Sequence, residues 1–121
     1  MATVDPTLVK TPISGSGFEI WAWRSINDGD TCTPAICGSF PDRTIYFLKG
    51  AGFGGNMLLE GSPEPNGTVY VTLNDPQGNA ISGISSDKAE TVLETAYKVR
   101  PSPGAGVAAV DAILVLSTGG R

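Results

Sequence analysis

Histidine is absent from this 121-residue chain, and with it goes the usual imidazole general base. Neither a Ser-His-Asp nor a Cys-His arrangement can be assembled. The eight Lys and Arg residues are scattered singly among twelve Asp and Glu, for a net charge of −4, so the basic patch of a nucleic-acid binder is missing. No apolar run reaches the length of a membrane span; the longest, residues 107–116, carries Asp111 in its middle. The opening fifteen residues, MATVDPTLVKTPISG, have neither a basic leader nor an apolar centre. No secretory signal is therefore expected, and the chain is expected to act where it is made or in a particle assembled there.

Cysteine is almost as scarce. Cys32 and Cys37 stand in CTPAIC, and without histidine or further cysteine one chain cannot supply four zinc ligands of the usual kind. Reduced thiols are expected, with a small-loop disulfide as the alternative. The acidic pair Asp28 and Asp30 lacks the twelve-residue ligand pattern of an EF-hand and reads as a solvated turn. Asp28, Asp42, Glu60 and Glu90 show no paired spacing that predicts a shared acid-base site. The expectation is a protein without catalytic residues, metal or cofactor.

What the chain has is glycine, proline and short strand-forming runs. Its length fits one domain that buries roughly two thirds of its extended-chain surface. Sixteen Gly and nine Pro beside only 17% charged residues describe a loop-rich β-fold that covers part of its surface with a partner. Residues 44–48, 57–60 and 68–73 are strand-like and cut apart by GAGFGG and by SPEPNG. GAGFGG formally matches the dinucleotide fingerprint through Gly50, Gly52 and Gly55. The match needs a helix straight afterwards, and Gly61, Pro63 and Pro65 leave no room for one. The glycines therefore read as a tight crossover with Phe53 turned inward. Residues 56–61 and 68–74 form a plausible hairpin, 80–84 a short strand, and 97–100 a strand stopped by Pro101 and Pro103. Residues 107–117 read as a closing strand. Residues 86–95 are open between one helical turn, capped by Ser86 and Asp87, and a short strand.

Residues 1–17 sustain neither a 3.6 nor a 2.0 period and read as an extended arm ahead of a β-sandwich domain at 18–121. Val4, Leu8, Val9 and Ile13 give the arm side chains to dock on a neighbour. FEIWAWR at 18–24 alternates strictly, with Phe18, Ile20 and Ala22 on one face and Trp21 and Trp23 on the other, so both faces carry apolar groups. Such a strand is central between layers or covered on its outer side; two tryptophans on one face are more often core than binding platform, and an exposed pair would be a hot spot for a protein partner. Residues 25–41 form a long irregular connection that reaches sideways to a neighbouring subunit. The candidate protein-contact residues are Val4, Leu8, Ile13, Trp21, Trp23, Ile36 and Phe40. A carbohydrate-binding sandwich is the alternative of another class, with Trp21, Trp23 and Tyr70 as its stacking platform.

The succession NDGDT near residue 30, PDRT at 41–44, GAGFGG at 50–55, LEGS at 59–62, TLNDPQGNAIS at 72–82, VLE at 92–94 and YKVRP at 97–101 resembles small virion proteins of tailed bacteriophages, in particular capsid decoration (cement) proteins. It covers residues 21–121 and rests on order and spacing. The family pattern carries an NDGTNW-like turn after EGS, whereas SPEPNGTVY stands here. The resemblance implies an all-β, antiparallel sandwich of Ig-like or jelly-roll-like type that assembles as a homo-oligomer, favouring a trimer. It would bind the major capsid protein on the exterior of a virion whose parts are made in the host cytoplasm. A tail or baseplate component is the runner-up.

Overall fold

The computed structural model describes residues 2–10, 17–38 and 40–118, and within them the chain is all β. Strong alternation builds the longest strands: β3 (Phe18–Ile26), β6 (Asp42–Leu48), β7 (Met57–Ser62) and β11 (Val110–Ser117). Shorter pieces complete two layers. β2 (Thr7–Lys10) and β9 (Lys88–Thr91) flank a five-stranded sheet of order β2-β3-β11-β6-β9. β5 (Ala35–Ile36), β8 (Val71–Thr72) and β10 (Lys98–Pro103) join β7 in a four-stranded sheet of order β5-β10-β7-β8. Both sheets are antiparallel throughout. A separate parallel bridge joins β1 (Thr3–Val4) to β4 (Thr31–Cys32).

The layers close on a single core. Trp23, Ile45, Phe47, Ala112, Leu114 and Leu116 enter from the five-stranded sheet, and Met57, Leu59 and Val99 from the other. Phe53, Leu73, Ile81 and Ile84 fill in from the connections. Phe53 does turn inward. The glycine crossover it sits in lies hard against the turn at 104–107: Gly54 and Gly106 both have φ above +80°, and a Cβ on either would stand 2.6 Å from the other's carbonyl oxygen.

Several elements depart from the sequence reading. Residues 86–95 hold a strand and no helical turn, because Asp87 spends its carboxylate on the amides of Lys49 (2.8 Å) and Gly50 (3.0 Å) in the neighbouring turn. Of 68–73 only Val71–Thr72 is strand, and 80–84 contributes isolated bridges, Asn74 to Ala80 and Met57 to Ile84. β10 runs through Pro101 to Pro103, past the predicted stop. Its partner β5 has ended by Val99, so the prolines stand where one flank of the strand is open and an amide is dispensable. The run at 107–117 is central in its sheet, between β3 and β6.

Two corrections bear on function. The connection 25–41 does not reach away: β4 takes β1, β5 takes β10, and the acids serve the turns, Asp30 accepting from Asn27 N (2.8 Å) and Asp28 from Gly106 N (3.1 Å). The described part of the arm is likewise folded home, with β2 antiparallel on β3.

Candidate interaction surface

Register decides which side chains share a face. On the side of the five-stranded sheet away from the core, Ala22 of β3, Ile113 of β11, Tyr46 of β6 and Ala89 of β9 form one cross-strand row. Ile20, Val115, Thr44 and Thr91 form the next. Leu48 lies beside Tyr46's row, across from Asp111. Tyr46 and Leu48 keep 38% and 40% of their surface exposed, while Ile20, Ile113 and Val115 are half-buried. Ala22 is itself buried, at 1% exposed, so the open part of this face lies around Tyr46 and Leu48.

An outer face of an antiparallel sheet normally turns polar. Here it does not. Side chains of this type carry on the order of 150–200 Å² each, so the exposed remainder amounts to roughly 200–300 Å² of apolar surface. Covering that would contribute roughly 5–7 kcal/mol at about 25 cal/mol per Å². That suffices for the apolar centre of an interface of standard size, about 800 Å² per partner, with polar residues forming the rim. At one end Arg24 bridges Asp111 at 3.2 Å, leaving the middle free of charge.

The outer face of the four-stranded sheet is built differently. Arg100 Nε donates to Glu60 Oε1 at 2.7 Å, and the Arg100 guanidinium lies 3.7 Å from the centroid of the Tyr70 ring. Lys98 donates to Pro65 O at 2.9 Å, with its ammonium 5.6 Å from the same ring. These polar groups satisfy one another at the middle of the sheet, while Ile36, in register with Lys98, and Val71 on the other edge strand stay 50% and 59% exposed.

The predicted contact residues scatter. Trp23 is fully buried and donates its indole N–H to Thr33 O (2.8 Å), which removes it from any surface. Trp21 is half-buried against the core, with its N–H on Glu19 (2.8 Å). The parity of FEIWAWR holds, and the tryptophan face is the inner one, as two tryptophans on one face favour; it is their place among the contact residues that falls away. Val4 and Phe40 pack partly buried against the core; Leu8 is 37% and Ile36 50% exposed, on β2 and β5. Ile13 lies outside the described residues. With Trp23 internal and Tyr70 stacked on Arg100, the three aromatics of the carbohydrate reading share no surface. Tyr46, Leu48, Ile113 and Val115 were missed. Their signal was legible in the runs IYFL and AILVL, where an outward strand face should be polar and is not.

Among the described residues no three Cys, Asp or Glu side chains converge as metal ligands. Both thiols are free and buried, and burial, with the Asp30 charge adding to it, pushes Cys32 up to about 12. Two shallow depressions flank the 61–69 turn, one of them lined by Gly61, Pro63, Val71, Leu73 and Ala96.

No family model matches the chain, and no curated protein does. Among solved structures it is similar to a cupin domain from Bordetella pertussis Tohama I, at 15% identity over 96% of this chain and 95% of that one, with a TM-score of 0.38. So loose a likeness carries no functional argument.

Proposed function

We propose that this chain is a non-catalytic structural protein that decorates the head of a tailed bacteriophage. It docks on the lattice of the major capsid protein from outside and associates with further copies of itself, in threes, at the lattice position it occupies. The observation that carries the reading is the exposed apolar patch on the outer face of the five-stranded sheet, around Tyr46 and with Leu48 toward its charged end. The ordered resemblance of residues 21–121 to cement proteins supplies the kind of partner. Contacts that exist only in the assembled shell stabilise that shell by linkage, because they are lost when capsomers separate.

The test is co-sedimentation of the purified chain with empty heads that lack decoration. Saturable binding at stoichiometric copy number is expected, and Tyr46→Asp or Leu48→Asp should weaken it by roughly 10²-fold or more, since each places a charge in apolar surface that docking desolvates. Arg100→Ala, on the opposite sheet, should leave binding within about threefold of the parent, as rim and remote positions do. Failure of the parent chain to bind heads refutes the reading. So does loss of binding on the Arg100 side alone. Binding to tails in place of heads would move the protein to the tail.

A further inference from the structure

The N-terminal strands occupy a seat that is specific in register and shallow in burial. β1 on β4 is the only parallel pairing among the described strands. Its ladder is main chain: Thr31 N–H donates to Ala2 O and Thr33 N–H to Val4 O, each at 2.9 Å. Both ends are pinned, Ala2 N–H donating to Asp30 Oδ1 (2.9 Å) and the Thr33 hydroxyl to Asp5 Oδ1 (2.5 Å). Yet none of residues 2–9 is fully buried, and Val9 is 53% exposed. The principal apolar hold is Val4, half-buried against the core.

A segment held by exposed hydrogen bonds and little apolar burial opens at a much lower free energy than the core beneath it. Opening bares one edge of β3 and one edge of β4, and unpaired edges are templates for another strand. The best-fitting occupant is the same pair of strands from a second copy, because it alone restores both the parallel register of Thr3 and Val4 with Thr31 and Cys32 and the antiparallel register of Thr7 and Leu8 with Ala22 and Trp21.

We propose that β1 and β2 exchange between neighbouring copies, so that each copy seats its neighbour's N-terminal strands. Exchange preserves the β1 and β2 pairings of the closed chain and adds none, so proximity decides it. In dilute solution the strands stay home. Between copies held side by side, the effective concentration reaches the millimolar range and exchange follows, turning a weak intramolecular strap into a link between subunits. This goes beyond the decoration reading, since it needs only crowding of the chain and no capsid.

The experiment mixes two full-length single variants, Thr3→Cys and Thr31→Cys, at millimolar concentration, followed by mild oxidation and non-reducing electrophoresis. Both positions are exposed, and the native thiols are buried. Exchange brings the two new thiols into register. The mixture should then yield covalent dimer at roughly tenfold the level of either variant oxidised alone, because a disulfide demands close Cα approach and aligned side chains. Asp5→Cys mixed with Thr33→Cys provides an independent pair with the same expected excess. Chains carrying both cysteines of a pair, oxidised when dilute, should close internally and run as monomer. Equal dimer yields from mixtures and single variants, for both pairs, overturn the proposal.

Discussion

Replacing Arg43 by methionine should remove a large part of this domain's stability, because a buried cation here organises main chain and not a carboxylate. Arg43 is 2% exposed on the inner side of β6. Its Nε donates to Phe40 O (2.8 Å), Nη2 to Cys37 O (2.8 Å) and Nη1 to Glu94 O (3.2 Å), so one guanidinium ties Cys37, Phe40 and Glu94 to the strand that carries Tyr46. Methionine fills much of the aliphatic volume and donates nothing. Cys37 O keeps the amide of Phe40 (3.1 Å), which softens the loss at one acceptor. Counting about 1–2 kcal/mol for each of the other two carbonyls and about 1 for Cys37 O gives a loss of about 3–5 kcal/mol. Domains of this size hold roughly 5–15 kcal/mol in all. The corresponding fall in Tm is about 12–20 °C, at about 4 °C per kcal/mol. Lysine keeps the charge but lacks the planar fork, so it cannot serve all three acceptors and should lose about half as much. Urea unfolding followed by tryptophan fluorescence, reporting on buried Trp23, measures both variants. The slope with denaturant should not change, because the same surface is exposed on unfolding. An Arg43→Met variant within about 1 kcal/mol of the parent would refute the carbonyl-cage account.

Two further predictions concern titration and thiol chemistry. Burial, the largest single influence on Glu94, opposes its ionisation, but hydrogen bonds from Asn74 N (2.7 Å), from Asn74 Nδ2 (2.6 Å) and from its own backbone outweigh it, so its pKa lies below the 4.5 of a free glutamate. A depressed folded-state pKa contributes stability above the unfolded value and loses it as pH falls through the folded one; urea midpoints should therefore drop below about pH 4.5 in the parent, and less steeply in Glu94→Gln, which starts lower at neutral pH. Cys32, pushed up to about 12 mainly by burial, should resist alkylation at pH 8 in the folded chain and react at the rate of a free thiol once denatured; rapid native-state labelling counted by mass spectrometry would contradict its placement.

Alternation found β3, and runs of strand-forming residues bounded by glycine and proline found β6, β7 and β11. Alternation alone could not say which face enters the core. The choice between Phe18-Ile20-Ala22 and Trp21-Trp23 depends on where the second layer lies, and that layer comes from β7 and β10, more than thirty residues away in sequence. The N-terminal strands escaped for a related reason: TVDPTLVK has no period of its own and acquires strand geometry only from the edges of β3 and β4. Residues 86–95 were ambiguous because Asp87 suits a helix N-cap, and only the fold shows the two turn amides that claim it. Pro101 and Pro103 misled because proline bars a strand only where both flanks are paired.

The unequal backs of the two sheets have a consequence for any coating this protein forms. Tyr46 and Leu48 open the outside of the larger sheet, whereas the smaller one holds the Arg100–Glu60 pair at its middle and its open aliphatics, Ile36 and Val71, on its two edge strands. A copy lying on its larger sheet would thus turn a charged middle outward, and any further copy would have to build on the margins alone.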